Sequence, residues 1–224
     1  MNAHHRQRWH AVSGLVVIAF GIAGASFERG SPPMTASIDQ TVAFLTTYRS
    51  ELLAQSLMFV MCAGAWLWFY AVLRTELRRD GNAVATAASV AFGAGVVSAS
   101  LQLMLQAVQA ASVLAAHPQM DASAARFFSG MMWSISVIAY VPVAVMLAAV
   151  AIASWQHTIF PAWLTWWSAA ASLAHLIMSA GLVAGSGPLV PGGTLTYALY
   201  AMLMIWLIAI TTVMARRPAS VPVL

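Results

Sequence analysis

Two groups of polar residues stand in an otherwise apolar sequence, at spacings that place each group on one face of a helix. The first group is Ser98, Gln102, Gln106, Gln109 and Ser112. The second group is Ser168, Ser172, His175 and Ser179. Amides, hydroxyls and a neutral imidazole both donate and accept hydrogen bonds, so they suit a neutral ligand. We predict that the two faces meet or share a central cavity. The predicted ligand-binding residues are Gln102, Gln106, Gln109, Ser172, His175 and Ser179.

The same polar groups have a second interpretation as contacts that hold helices together. Side chains of these types form hydrogen bonds between neighbouring helices in membrane bundles, where each bond contributes about 0.6 kcal/mol. The spacing fits both interpretations, a pocket and helix packing.

His175 is the only ionisable side chain deep within an apolar segment, and it invites a reactive role such as proton relay or metal ligation. A bis-histidine haem needs a second buried histidine, and the other five lie at the terminus, at span ends or in loops. Ser179 follows His175 by four residues, but no buried carboxylate is available to orient a Ser–His pair. Met58, Met61 and Cys62 are soft ligands that suit Cu(I), although methionine is also ordinary packing material. We expect no catalytic or metal-binding residue, and the sequence identifies no cofactor.

The elements that must position these residues are membrane-spanning helices. Residues 127–215 contain no Asp, Glu, Lys or Arg, and each charge near the bilayer centre costs about 2.5 to 3.5 kcal/mol on insertion scales. The chain is 61% hydrophobic and 7% charged, whereas soluble domains are about 25% charged. Since about 20 apolar residues cross a bilayer, the sequence predicts one all-α transmembrane domain over residues 1–224. Its six predicted spans are about 10–28, 52–73, 84–115, 128–154, 161–184 and 195–215.

The arginines orient these spans with both termini inside, because inner loops carry an excess of positive charge. The predicted inner arginines are Arg6, Arg8, Arg74, Arg78, Arg79, Arg216 and Arg217. The predicted outer ones are Arg29, Arg49 and Arg126. This bias explains the net charge of +4 without a nucleic-acid partner. The absence of lysine excludes the Schiff-base chemistry of retinal and pyridoxal phosphate proteins. We expect a multi-pass protein of the cytoplasmic membrane.

The longest predicted connection is an outer loop over residues 29–50. Ser37 and Gln40 match a capping box, and Ile38, Val42 and Leu45 recur at helical spacing. We expect a short amphipathic helix at the outer interface, either a lid over a cavity or an interfacial stabiliser. Polar residues at nearby span ends are predicted to form the rim of an entrance: Glu51, Gln55, His117 and Asp121.

The layout resembles a broad family of uncharacterised six-helix bacterial integral membrane proteins. Three segments carry the resemblance: TYRSELLAQSLMFVMCAGAWLWFYAVLR (47–74), LQLMLQAVQAASVL (101–114) and IFPAWLTWWSAAASLAHLI (159–177). Members of that family often carry a charged residue in the third span, where this chain has only Gln and Ser. The resemblance implies a helical bundle and transfers no activity.

For function we expect binding or transport of a small neutral or lipophilic molecule. The first alternative is an accessory or assembly subunit of a larger membrane complex. The least favoured alternative is an intramembrane redox or hydrolytic enzyme. The expected partners are the lipid bilayer, a small lipophilic ligand, and a membrane protein or a second copy of the chain.

Overall fold

The computed structural model describes residues 3–32, 36–78, 82–184, 187–190 and 192–217, which form helices and no strand. The helices are α1 (Ala3–Ala25), α2 (Ile38–Thr47), α3 (Arg49–Leu77), α4 (Ala85–Ala115), α5 (Ala122–Ile138), α6 (Tyr140–His157), α7 (Ala162–Ser179) and α8 (Thr194–Arg216). Two short 3-10 turns, Asn82–Val84 and Ala180–Leu182, precede α4 and follow α7. Arg79, one of the predicted inner arginines, lies outside the described residues.

Six of the helices form a ring in which each packs against two neighbours, in the order α1, α3, α4, α6, α7, α8 and back to α1. One hydrophobic core fills the ring, and every one of the six helices contributes to it. Residues representative of the six are Val17, Phe69, Ala99, Val150, Leu164 and Trp206. Trp206 is fully buried, and its ring meets Phe69 edge to face with centroids 6.3 Å apart.

Four helical segments are long and apolar enough to cross a membrane: Arg49–Leu77, Ala85–Ala115, Ala122–His157 and Leu195–Arg216. The apolar part of α1, Val12–Ala25, is shorter. The 18 residues of α7 include a histidine and four hydroxyl side chains, which lower its hydropathy. The chain is therefore an all-α bundle with several membrane-compatible helices, and the six-span count and orientation are not confirmed.

The predicted fourth span, 128–154, is two helices that meet at Ala139. Pro142 explains the break, because its nitrogen has no hydrogen to donate to the Ile138 carbonyl and its ring crowds that carbonyl. Helix α5, which precedes the break, packs mainly against α4, and it also contacts α2 and the 3-10 turn after α7.

The amphipathic helix of the long connection is α2. Ser37 Oγ accepts from the Gln40 backbone, and the Gln40 side chain accepts from the Ser37 backbone, which completes the predicted capping box. The helix contacts α3, α4 and α5 and buries none of its own residues fully. It therefore rests on the bundle near the ends of these helices and is not part of the core.

Candidate functional site

A chain of hydrogen bonds joins α3 and α4 to the segment that follows α1, at the end of the bundle where α2 lies. Gln109 Nε2 donates to Gln55 Oε1 at 2.9 Å, and Gln55 Nε2 donates to Glu28 Oε2 at 3.0 Å. Gln109 Nε2 also reaches the Leu52 carbonyl at 3.2 Å. Glu28 Oε1 in turn accepts from the Gly30 backbone at 3.1 Å. We call Glu28, Gln55 and Gln109 the glutamine relay. In this relay the Gln109 side chain joins α4 to α3.

The other two glutamines of α4 differ from Gln109 in their surroundings. Gln106 is 3% exposed, and its Oε1 is buried without a hydrogen-bond partner among the described residues. Gln102 is half-buried. A buried amide oxygen without a partner is unusual in a folded protein, and it marks a place where water or a ligand group fits.

The polar face of α7 is divided between packing contacts and a buried histidine. Ser172 Oγ donates to the Ala144 carbonyl of α6 at 2.8 Å. Ser168 Oγ accepts from Trp206 Nε1 of α8 at 2.8 Å. Ser179 is not fully buried and donates to the Leu176 carbonyl of its own helix at 2.6 Å. Two of the four residues therefore bind α7 to its neighbours.

His175 is 2% exposed, and its Nδ1 lies 2.7 Å from the Ala171 carbonyl. Because a carbonyl oxygen can only accept, Nδ1 carries the hydrogen, and the neutral ring then offers Nε2 as an acceptor. The ring of Tyr140 stands edge-on to the imidazole with centroids 6.0 Å apart. Tyr140, the first residue of α6, therefore lies against His175, which the sequence predicts as a ligand-binding residue.

Tyr140 and His175 belong to a second region of polar atoms without protein partners. Tyr140 is 3% exposed and Thr196 of α8 is 4% exposed, and the Tyr140 hydroxyl lies beside the hydroxyls of Thr196 and Tyr200. In the described part of the chain no hydrogen bond of good geometry reaches the Tyr140 or Thr196 hydroxyl oxygen, and none reaches the buried Nε1 of Trp133. We call Trp133, Tyr140, His175 and Thr196 the tyrosine–histidine cluster. Apolar side chains of Val137, Met178 and Leu199 pack around Tyr140.

An open cleft of about 460 Å³ on α5 borders this cluster. It runs from Arg126 and Phe127 to Ile135 and includes Trp133. Trp133 also packs against the small core around Tyr140. Trp133 is therefore common to the cleft and to the small core around Tyr140.

The two predicted polar faces do not pack directly on each other. α4 packs against α3, α5 and α6, whereas α7 packs against α6 and α8, so α6 lies between them in the ring. Both faces point towards the shared core, and they contact different helices.

The predicted rim residues have two kinds of contact, between helices and local. Gln55 is 4% exposed and takes part in the glutamine relay. The other three form only local contacts among the described residues: Glu51 accepts from Ser50 Oγ, His117 Nδ1 accepts from the Gln119 backbone, and Asp121 caps α5 through the Ser123 backbone. Arg126 lines the mouth of the cleft on α5.

The soft-ligand alternative on α3 is not assembled as a site. The Cys62 thiol is buried and points at the Val17 carbonyl of α1 at 3.5 Å. Met61, by contrast, is 47% exposed and faces away from the bundle. Among the described residues, no three His, Cys, Asp or Glu side chains come close enough to hold a metal ion.

The chain matches no protein-family model, no curated protein and no solved structure. The resemblance to six-helix bacterial membrane proteins therefore stays a prediction from the sequence, and the functional argument depends on the site alone.

Proposed function

We propose that this chain is a multi-pass protein of the cytoplasmic membrane that binds a small neutral molecule among buried polar groups of the bundle. The proposed contacts are the tyrosine–histidine cluster and Gln106. The glutamine relay and Ser172 hold the helices around the site, since their polar atoms are already used between helices.

The observation that supports this proposal is the set of buried polar atoms without partners. Gln106 Oε1, Tyr140 Oη and Thr196 Oγ1 are each removed from solvent without a hydrogen bond of good geometry to any described residue. An unsatisfied buried polar group costs about 1 to 3 kcal/mol. In a lipid environment, water supplies no general compensation. A bound molecule that offers hydrogen bonds to these atoms would offset that cost.

The donors and acceptors define the chemistry of the ligand. Gln106 Oε1 and His175 Nε2 accept, Trp133 Nε1 donates, and the two hydroxyls can do either. None of Gln106, Trp133, Tyr140 and Thr196 carries a charge, and the neutral tautomer is assigned to His175, so a permanently charged ligand would be unpaired in a region of low dielectric. The expected ligand therefore has an apolar body with one or two hydroxyl, carbonyl or amide groups.

The cleft on α5 is the proposed entrance. Its lining is mostly apolar, with Phe127 and Met131 beside Trp133. Rotation of the Trp133 indole would connect the cleft to Tyr140. Transport of the ligand, in contrast to binding, requires a second opening, for which the long α2 connection is the proposed lid.

The proposal includes six spans with both termini inside. The six-helix ring supports this count, because α1 and α7 occupy the same kind of position in it as the four long apolar helices. In this arrangement α2 and the cleft on α5 lie on the outer side.

The test compares ligand retention and stability in single variants. Wild-type protein, extracted gently in detergent, is analysed by native mass spectrometry for a co-purifying small molecule. Gln106→Leu and Tyr140→Phe each remove one unpartnered group, so we expect at least about tenfold weaker retention, equivalent to 1.4 kcal/mol, with an unchanged or higher melting temperature. Ser100→Ala is the matched control, since its exposed hydroxyl bonds only to the Val96 carbonyl of its own helix.

Two results would contradict the proposal. If Gln106→Leu and Tyr140→Phe lower the melting temperature and leave retention unchanged, these groups are packing contacts. If the wild-type protein carries no small molecule and instead co-purifies with a stoichiometric second polypeptide, the accessory-subunit alternative is favoured.

A further inference from the structure

A second cleft, of about 240 Å³, lies at the opposite end of the bundle between α3 and α4. Its lining consists of Ala71, Arg74 and Thr75 of α3, Arg78 at the C-cap of that helix, and Phe92 of α4. The α3 residues are three or four positions apart, so they share one face of the last two turns of that helix. None of the polar residues in this cleft belongs to the site proposed above.

The cleft concentrates positive charge. Arg74 and Arg78 stand at i and i+4, where like charges repel each other on a helix. The nearby buried carboxylate, Glu76, is 5% exposed and forms an ion pair with Arg217 at 3.7 Å. Within the described residues, neither Arg74 nor Arg78 has an ion pair of its own. An anion in the cleft would relieve this repulsion.

The guanidinium of Arg74 is held in place and has a spare donor. Its Cζ lies 5.3 Å from the centroid of the Phe92 ring, a geometry in which a cation is attracted to the ring face. Its Nε is buried and has no hydrogen-bond partner among the described residues. A guanidinium can present two parallel N–H groups to a phosphate, so a fixed Arg74 is suited to such a contact.

We propose that this cleft binds the phosphate of an anionic phospholipid. Arg74 and Arg78 contact the phosphate oxygens, and Thr75 lies on the same wall and offers a hydroxyl. Basic pockets at the ends of membrane helices recognise anionic lipid headgroups, and each basic residue near the surface adds to the attraction.

The surroundings favour a lipid over a free phosphate ion. The cleft opens on the outside of the α3–α4 pair, at the end of two helices that are long and apolar enough to cross a membrane. Further along the same pair, Trp68, Val90 and Val97 are 63%, 43% and 51% exposed. Acyl chains would lie against this apolar surface while the headgroup occupies the cleft.

The experiment measures lipid binding to the full chain by native mass spectrometry. Purified protein is titrated with phosphatidylglycerol, and in parallel with phosphatidylcholine of the same acyl chains. We expect the wild type to retain one phosphatidylglycerol in preference to phosphatidylcholine. The double variant Arg74→Gln/Arg78→Gln should lose at least about tenfold in affinity for phosphatidylglycerol and become indifferent to the headgroup.

Arg216→Gln is the matched control, because Arg216 is an exposed arginine at the last turn of α8 and does not line the cleft. It should bind phosphatidylglycerol as the wild type does. Arg74→Lys/Arg78→Lys keeps the charge and should keep most of the preference, which separates lost binding from lost folding. Equal loss in Arg216→Gln, or equal retention of both lipids by the wild type, would overturn the proposal. Displacement of the lipid by millimolar inorganic phosphate would assign the cleft to the free ion.

Discussion

Gln109 on α4 donates a hydrogen bond of 2.9 Å to the side-chain carbonyl of Gln55 on α3, and this bond joins a predicted pocket residue to a predicted rim residue. The same Gln109 nitrogen also reaches the Leu52 carbonyl. With Glu28, three residues beyond the end of α1, at its other end, the relay connects α3 and α4 to the segment that follows α1. It fixes the distance between these helix ends close to the region that α2 covers.

Gln109→Leu should destabilise the bundle. It removes two hydrogen bonds and leaves Gln55 Oε1 without its donor. At about 0.6 kcal/mol per bond between membrane helices, we expect a loss of about 1 kcal/mol and a melting temperature lower by about 2 to 4 °C. Thermal unfolding in detergent, followed by circular dichroism, measures the change.

Gln102→Leu is the control for this variant, since it makes the same substitution on the same helix at a half-buried position outside the relay. Its melting temperature should stay within about one degree of the wild type. Equal destabilisation by the two substitutions would show that the relay contributes nothing specific.

Ser168→Ala should destabilise the α7–α8 contact. Trp206 is fully buried, and Ser168 Oγ is the acceptor of its indole hydrogen. The variant leaves that hydrogen buried and unpaired, at a cost of about 1 to 3 kcal/mol. Trp206→Phe combined with Ser168→Ala removes both polar partners, so a double-mutant cycle of melting temperatures should reveal a favourable coupling between the two residues.

Ser100→Ala serves again as the comparison, because this exposed serine only donates to the carbonyl four residues earlier. It should leave stability within about 0.5 kcal/mol. Additive effects of the Ser168 and Trp206 substitutions would contradict the assigned bond.

Gly95→Ala should weaken the contact between α3 and α4. A methyl group at Gly95 would lie 2.6 Å from the ring of Tyr70, and the ring is 3% exposed and has little room to move. Overpacking of this kind costs about 1 to 3 kcal/mol. The expected result is a lower melting temperature in detergent.

Gly93→Ala is the matched control two residues away, where a methyl group meets nothing within 4 Å. Alanine favours the helix by up to about 1 kcal/mol relative to glycine, so this variant should be neutral or more stable. A destabilised Gly93→Ala, or a neutral Gly95→Ala, would contradict the packing described for this face of α4.

The sequence was sufficient to predict helices and their polar faces, because both depend on local periodicity. It predicted the capping box of α2 and the end of α4 at Ala115. Gly93 and Gly95 are identical residues two positions apart on α4, and of these two only Gly95 would place a methyl group against a neighbour. The difference depends on which helix stands opposite, and spacing along one helix does not contain that information.

The candidate site was less predictable for the same physical reason. Tyr140 is the one tyrosine of α6 and Thr196 is one of four threonines of α8, so the sequence did not single out either residue. Their proximity arises only when the bundle brings the starts of α6 and α8 together. The break at Ala139 had a signal in Pro142, four residues after the carbonyl that loses its bond. Burial of Glu76 had no local signal, because its partner Arg217 belongs to the far end of the chain.

Three substitutions of one chemical kind test the proposed orientation of the spans. Gln40 on α2, Gln119 before α5 and Gln156 on α6 are all exposed, and each is replaced by cysteine in a Cys62→Ala background. In intact cells, a membrane-impermeant maleimide should label Gln40→Cys and Gln119→Cys, which lie outside in the proposed topology. Gln156→Cys should be labelled only after the membrane is permeabilised. Pro188→Cys, in the connection before α8, should label like the outer pair if α7 crosses the bilayer.

The unmodified chain should stay unlabelled, because Cys62 is 6% exposed and lies inside the bundle. Labelling of Gln156→Cys in intact cells would reverse the orientation, and protection of Pro188→Cys would remove α7 from the spans.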